Sequence, residues 1–196
     1  KEIFFFFKVW LASSTHEGEE LISIKTHILL KKNYNNILTI IAPRHISRVK
    51  KISYLVEKMN LNCQILNDKD LINKNAEIIL INSFGVLNKY FDYCKSVFIG
   101  KSLIKKLISE GGQNPIEAVR QGCKIYHGPF VYNFDEVYKF LESNNLSKKI
   151  HNSNELFLEV NNDFKNNYEK KGSNLIQEYG RDILSKTVKE ITQLIK

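Results

Sequence analysis

Cysteine is scarce in this chain and widely spaced, and histidine is scattered in the same way. Cys63, Cys94 and Cys123 form no Cys-x-x-Cys pair, and the five histidines do not cluster with them. A disulfide framework and a structural zinc site are therefore not expected, and a reducing compartment fits this usage. We predict no metal site and no cofactor.

The chain also lacks a hydrophobic run long enough to cross a bilayer. Its most apolar stretch, IFFFFKVWLA at positions 3–12, is interrupted by Lys8 and has about half the length that a membrane-spanning helix needs. The flanks of a signal peptide are missing as well. We expect this stretch to be either a buried strand or a segment between domains.

Acidic residues are too few to balance the basic ones, which leaves a formal net charge of +8. A basic domain favours anionic partners such as nucleotides, nucleic acids or acidic membrane surfaces. Of the 196 residues, 43% are hydrophobic and 26% are charged, which is ordinary for a globular domain of this size. Methionine occurs once, at position 59, and the first residue is Lys1, so we expect a fragment or a processed product.

Apolar strands alternate with helices along most of the chain. The predicted strands are 9–12, 36–42, 63–66, 77–82, 96–100 and 123–128. The predicted helices are 17–32, 46–59, 86–93, 115–121 and 134–143, and from about Asn154 the chain is helical and ends in an amphipathic segment at 175–195. This order predicts an α/β fold with a Rossmann-like parallel sheet, helices on both faces and a helical C-terminal tail.

Polar residues follow several of these predicted strands, and ligands of such sheets bind beyond the carboxyl ends of the strands. SSTHEGEE (13–20) follows the first strand, with Ser14 and Glu17 at capping-box spacing. PRH (43–45) follows the second, where Arg44 can offer a bidentate fork to phosphate or carboxylate. SFG (83–85) and KS (101–102) follow two later strands. Together they indicate a shared cleft that suits a nucleotide phosphate.

GGQNPIEA (111–118) has the residues of a helix start. Asn114 is placed to cap the helix, Pro115 to take its first position, and Glu117 to complete a capping box. The glycine pair before them leaves backbone amides uncovered where phosphate binds readily. A plain cap and an anion site predict the same residues, so both interpretations stay open at this point.

Five segments in this order and spacing resemble the C-terminal half of the 3-deoxy-D-manno-octulosonic acid (Kdo) transferases. They are VWLASSTHEGEE, APRHISRV, FIGKSL, GGQNPIEA and HGPFVYNF, and the resemblance covers roughly 9–140. It implies the C-terminal half of a GT-B glycosyltransferase, in which two Rossmann-like domains face each other across a cleft. It also divides the chain into an interdomain segment (1–8), a CMP-sugar-binding domain (9–150) and C-terminal helices packed on that domain (151–196).

The resemblance further implies the reaction and its partners. The donor is CMP-Kdo and the acceptor is a lipid A precursor in lipopolysaccharide biosynthesis, at the cytoplasmic face of the bacterial inner membrane, with this fragment itself soluble. The family's catalytic glutamate lies in the N-terminal half, so no catalytic residue and no metal ligand is expected in this chain. The chain alone is therefore expected to be inactive.

The family's motifs assign the donor-binding residues position by position. The segments that contact CMP are Pro43 and Arg44; Phe84, Gly85 and Val86; and Asn114, Pro115, Ile116 and Glu117, beside Gly112. Ser14, Thr15 and His16 line the donor side of the cleft. The chain departs from the family in having Lys101 for a glycine, Gln113 for a histidine and Ala118 for a proline.

Two alternative functions remain at this stage. Another GT-B transferase or an epimerase that uses a UDP-sugar has the same residue chemistry, because nothing in these residues distinguishes cytosine from uracil. A basic α/β module that binds nucleic acid is the second alternative. The aromatic residues argue against it, since most lie in apolar strands or on helix stripes and are not interleaved with basic residues. We predict no nucleic-acid partner.

Overall fold

Seven parallel strands form one sheet within the part of the chain that the computed structural model describes, which is 2–107, 111–166, 168–170 and 172–194. Their order across the sheet is β3-β4-β2-β1-β5-β6-β7. The strands are β1 (Lys8–Thr15), β2 (Ile37–Pro43), β3 (Cys63–Leu66), β4 (Ile78–Ile81), β5 (Ser96–Ile99), β6 (Lys124–His127) and β7 (Ser147–Lys149). The predicted fold class is confirmed.

Helices cover both faces of this sheet. They are α1 (Glu19–Lys31), α2 (Val49–Lys58), α3 (Asn88–Phe91), α4 (Ile116–Arg120), α5 (Asp135–Ser143), α6 (Ser153–Lys165) and α7 (Ser173–Leu194). Helices α1, α2 and α6 pack on one face, and α3, α4, α5 and α7 pack on the other. Successive residues of a strand point to opposite faces of the sheet. Trp10 and Ala12 therefore pack on the face covered by α1, α2 and α6, while Val9 and Leu11 pack on the other face. This double burial explains why the central strands β2 and β4 are largely apolar.

The apolar N-terminal run is only partly a strand. Residues Glu2–Phe6 form a 3₁₀ turn, and the strand begins at Lys8. The ring of Phe4 is buried and stacks on Tyr93 with centroids 4.4 Å apart, whereas Phe5 and Phe6 are 82% and 73% exposed. A buried strand over the whole run is therefore wrong, because these two rings have no core to enter in the described structure. The assignment of 1–8 as an interdomain segment stays a prediction.

Helix α6 is attached to the sheet by a buried carboxylate. Asp163 accepts hydrogen bonds from Ser96 Oγ at 2.7 Å and from Tyr126 Oη at 2.6 Å, and Lys124 Nζ lies 3.5 Å from its other oxygen. Ser96 is the first residue of β5, so this attachment lies at the end of the strand opposite to its carboxyl end. Residues at 151–166 are thus integrated with the strands at that end of the sheet.

Helix α7 packs on the sheet only through its first turns. Ile176 is buried, and Tyr179 stacks on Phe140 with ring centroids 4.2 Å apart. Residues 181–193 are all exposed. The end of the predicted amphipathic segment, at 195, lies outside the described residues, and the boundaries at 8/9 and 150/151 stay predictions. Among the helices of the described ranges, none combines the length and the apolar character that crossing a bilayer requires.

Candidate functional site

The direction in which successive strands are added to the sheet changes at β1. From β1 the chain moves to β2 on one side and later returns to β5 on the other, so β1 and β5 flank the switch point of the sheet. Loops that leave two such strands diverge, and the crevice between them is where doubly wound sheets bind ligands. The loops after β1, β2, β4 and β5 contain most of the residues predicted to bind the donor.

The segments after β1 and β2 lie side by side. Thr15 pairs with Pro43, and the Arg44 N–H donates to the Thr15 carbonyl oxygen at 3.0 Å. The rings of His16 and His45 meet edge to face with centroids 5.8 Å apart. Arg44 is exposed, and its guanidinium forms no ion pair with the described residues. This cation is therefore available to an anionic ligand at the strand ends.

The predicted capping box of α1 is wrong. The helix begins at Glu19 after Gly18, and no side chain caps it. Glu17 is exposed and pairs with Lys51 at 2.5 Å, an ion pair that lowers the pKa of its carboxyl. The physical reason is the sharp turn at Gly18, where φ is +98°, which moves the helix start two residues beyond the predicted position.

Glu19 is the residue of this loop that sequence reasoning missed. Its carboxylate is fully buried and accepts four backbone N–H groups: His16 at 2.8 Å and Lys101 at 2.7 Å on Oε2, and Ser102 at 2.9 Å and Leu103 at 3.0 Å on Oε1. Burial raises the pKa of Glu19, an effect that the four donors oppose. We call this carboxylate with its four donors the Glu19 cluster.

Glycine is required where β5 meets this cluster. The Gly100 N–H donates to the Ser13 carbonyl oxygen at 2.8 Å, and a Cβ at this position would lie 2.6 Å from Thr15 Cα and 2.8 Å from Glu19 Oε2. The next residue, Lys101, has φ of +58°, a conformation that glycine adopts more easily than lysine. The glycine that the resemblance leads us to expect at this position would adopt this conformation without strain.

The segment 112–117 is joined to the loop after β5. The Gly112 N–H donates to the Lys101 carbonyl oxygen at 2.8 Å, and Asn114 Oδ1 accepts from the Ile116 N–H at 3.0 Å. Helix α4 starts at Ile116, one residue later than predicted, with Pro115 at its cap. Glu117 is exposed and does not close a capping box with Asn114, because its carboxylate accepts no hydrogen bond from the described residues. The predicted cap at Asn114 and first helical position at Pro115 are therefore wrong by one residue, because Pro115 itself is the cap and Asn114, one residue before it, accepts a single backbone N–H.

The turn Phe84–Val86 stands apart from these segments. It follows β4, the strand on the far side of β2, and none of the hydrogen bonds that join the other loops reaches it in the described ranges. Phe84 is 69% exposed and Gly85 has φ of +72°. Val86 is buried in the core, so its side chain is not accessible to a ligand.

The other predicted residues divide by accessibility. Ser14 and His16 are half-buried at the crevice, whereas Thr15 is fully buried and its hydroxyl donates to Glu20 Oε1 at 3.1 Å. Glu20 is held in turn by a bidentate pair with Arg48. Pro43, Gly112 and Pro115 are also buried. Partial burial, with smaller contributions from Lys101 and His45, lowers the pKa of His16, which favours the neutral form of its imidazole. In the described ranges no three metal-ligating side chains converge on a point.

The chain is similar in sequence to known Kdo transferases. It is 32% identical over 133 residues to the 3-deoxy-D-manno-octulosonic acid transferase of Haemophilus influenzae, which covers 68% of this chain and 30% of that relative. It is 25% identical over 146 residues to that of Aquifex aeolicus, covering 74% of the chain and 39% of the relative. The chain thus spans about a third of the length of these curated relatives. No family model matches the chain.

The fold is also that of a solved domain. The crystal structure of the C-terminal CMP-Kdo binding domain of WaaA from Acinetobacter baumannii superimposes with a TM-score of 0.72 at 19% identity, over 82% of this chain and 83% of that domain. At this identity the match shows the fold alone. With the sequence matches, it confirms the resemblance predicted from the five motifs.

Proposed function

We propose that this chain, a relative of the Kdo transferases, binds the CMP part of CMP-Kdo and forms the donor-binding half of a glycosyltransferase. The observation that carries the proposal is the way the Glu19 cluster brings SSTH, KSL and the Gly112 segment together at the switch point of the sheet. The exposed Arg44 lies beside them. This is the crevice where a parallel sheet binds a nucleotide.

The residues around the crevice suit a phosphate that leaves with negative charge. The Arg44 guanidinium can donate two parallel hydrogen bonds to phosphate oxygens. The hydroxyl of Ser14 can also donate to a phosphate oxygen. His16 Nδ1 lies 3.2 Å from the Ser14 carbonyl oxygen, so a neutral imidazole uses its single N–H there and its other ring nitrogen is an acceptor. Asn114, Ile116 and Glu117 offer polar and apolar contacts to the nucleoside, and the exposed Phe84 and Gly85 offer a further surface.

The reaction proposed for the full-length protein is an inverting displacement. A hydroxyl of a lipid A precursor attacks the anomeric carbon of Kdo, and the bond from that carbon to the phosphate oxygen breaks with its electron pair on CMP. A carboxylate outside this chain takes the hydroxyl proton. This chain orients the donor and stabilises the departing phosphate through Arg44. We place the reaction at the cytoplasmic face of the bacterial inner membrane.

CMP is expected to stabilise this chain, and UMP less so. A ligand that binds only the folded state at about a hundred times its dissociation constant adds roughly 2.7 kcal/mol to the free energy of unfolding. A thermal-shift series with CMP, UMP and inorganic phosphate measures this. Equal responses to CMP and UMP would contradict the cytosine assignment and favour a UDP-sugar enzyme. If inorganic phosphate raises the melting temperature as much as CMP does, the site binds anions without recognising the nucleoside. No response to any of the three ligands would contradict the proposal.

Arg44→Lys is expected to raise the dissociation constant of CMP by roughly tenfold, although the charge is kept. Lysine is a point charge and cannot reproduce the two parallel bonds of a guanidinium. Isothermal titration of CMP measures the effect. The control is Arg181→Lys, the same exchange on the exposed part of α7, which is expected to leave CMP affinity unchanged. An Arg44→Lys chain with parental affinity would remove Arg44 from the phosphate site.

A further inference from the structure

We propose that Glu19 is a positioning residue, whose buried carboxylate sets the relative placement of the loops that hold the donor. This inference rests on the proposed function, since it concerns the same crevice. In this role Glu19 does not contact the donor itself. Its effect on the donor passes through the backbone groups that it binds.

One oxygen of the carboxylate joins the loops on the two sides of the switch point. Glu19 Oε2 accepts the N–H of His16 from the loop after β1 and the N–H of Lys101 from the loop after β5. In the described ranges the last backbone hydrogen bond between β1 and β5 runs from the Gly100 N–H to the Ser13 carbonyl oxygen, so beyond Gly100 the sheet itself no longer fixes the distance between these loops. The Glu19 carboxylate, which binds both loops, fixes the distance between them where the ligand crevice begins.

The loop held by Glu19 holds two further segments. The Lys101 carbonyl oxygen accepts from the Gly112 N–H at 2.8 Å, which ties the segment 112–117 to the same peptide. Ser102 Oγ accepts from the Gly128 N–H at 2.9 Å, and the Ser102 carbonyl oxygen accepts from the Phe130 N–H at 2.9 Å. A shift of residues 101–103 would therefore displace the segments after β5 and β6 together.

Only an ionised carboxylate satisfies this set of donors. All four partners are N–H groups, so both oxygens must accept, and an amide in place of the carboxylate would set its own N–H₂ against two of them. A donor left unpaired in a buried site is costly, so the loops are expected to move apart. Glu20, the neighbouring carboxylate, is already held by Arg48 and Thr15 and reaches none of the four N–H groups.

The test compares Glu19→Gln with Asp163→Asn in the same chain. Asp163 is also a buried carboxylate with two hydrogen-bond donors, but it lies at the opposite end of β5, so its substitution lowers stability without touching the crevice. We expect Glu19→Gln to raise the dissociation constant of CMP at least tenfold, and Asp163→Asn to change it less than twofold. Titrations are run well below the melting temperature of each variant.

Amide spectra of the ¹⁵N-labelled chain supply a readout that needs no ligand. In Glu19→Gln the resonances of His16, Lys101 and Gly112 are expected to shift together, and in Asp163→Asn they are expected to stay in place. Glu19→Asp, which keeps the charge on a shorter side chain, is expected to lie between the parent and Glu19→Gln in both measurements. It also serves as the test variant if Glu19→Gln does not fold.

Each outcome decides between the two proposals. A folded Glu19→Gln or Glu19→Asp chain with parental CMP affinity and unmoved Gly112 resonance would overturn the positioning role while leaving the donor site intact. A parent chain that does not bind CMP would contradict the proposed function, and the coupled amide shifts would still test the placement of the loops. Equal losses of affinity in Glu19→Gln and Asp163→Asn would show that general stability is the cause, and would also overturn the role.

Discussion

Gly128→Ala is expected to lower the free energy of unfolding by about 3 kcal/mol or more, or to prevent folding. A Cβ at this position would lie 2.0 Å from the Ser102 carbonyl oxygen and 2.3 Å from Leu103 Cα. Both atoms belong to the backbone of a loop whose Ser102 and Leu103 N–H groups bind Glu19, so neither can move away without disturbing these hydrogen bonds. Overpacking of this kind usually costs about 1–3 kcal/mol, and more where the surroundings cannot yield.

The matched control for this substitution is Gly180→Ala in α7. Apart from its chain neighbours and the backbone of its own helix, a Cβ at Gly180 would meet no heavy atom of the described residues within 4 Å. Alanine in a helix is favoured over glycine by about 0.5–1 kcal/mol, so this variant is expected to gain stability. Urea unfolding followed by circular dichroism compares the two variants with the parent. A Gly128→Ala chain within 1 kcal/mol of the parent would contradict the close approach of the loops after β5 and β6.

This chain alone is expected to transfer no Kdo. The resemblance places the catalytic base in the other half of the enzyme, and the three carboxylates after β1 are poorly suited to replace it. The pKa of Glu17 is lowered by Lys51, Glu19 is saturated with N–H donors, and Glu20 is paired with Arg48. General-base catalysis contributes on the order of a hundred- to ten-thousandfold, and the acceptor site is proposed to lie outside the chain as well.

Incubation of the purified chain with CMP-Kdo and a lipid A precursor tests this expectation, with the full-length enzyme as positive control. One variant identifies a base if transfer is nevertheless seen. Glu17→Ala removes the exposed carboxylate after β1. Transfer by the parent chain that this variant abolishes would place the base in this half and refute the proposed division of labour.

Residues with a strong local preference could be assigned to elements from the sequence. The apolar runs at 36–42 and 96–100 predicted β2 and β5 to within a residue, because a strand buried on both faces must be largely apolar. Strand β7, Ser147–Lys149, was not predicted, since three polar residues have no strand periodicity. It forms because its backbone pairs with the edge of β6 that no other strand occupies, with Ile125 opposite Ser147.

The sequence by itself determined the parallel sheet, the polar loops at its carboxyl edge and the exposed Arg44, because these follow from apolar runs and the residues directly after them. Only the tertiary structure decided the roles of three neighbouring acidic residues, Glu17, Glu19 and Glu20. The sequence favours a helix cap at Glu17 and gives no role to Glu19. In the structure Glu17 forms a surface ion pair, Glu20 binds Arg48, and Glu19 accepts N–H groups from residues 82 to 84 positions further along the chain. Donors so distant in sequence leave no local signal, because they meet the carboxylate only when β1 and β5 pair.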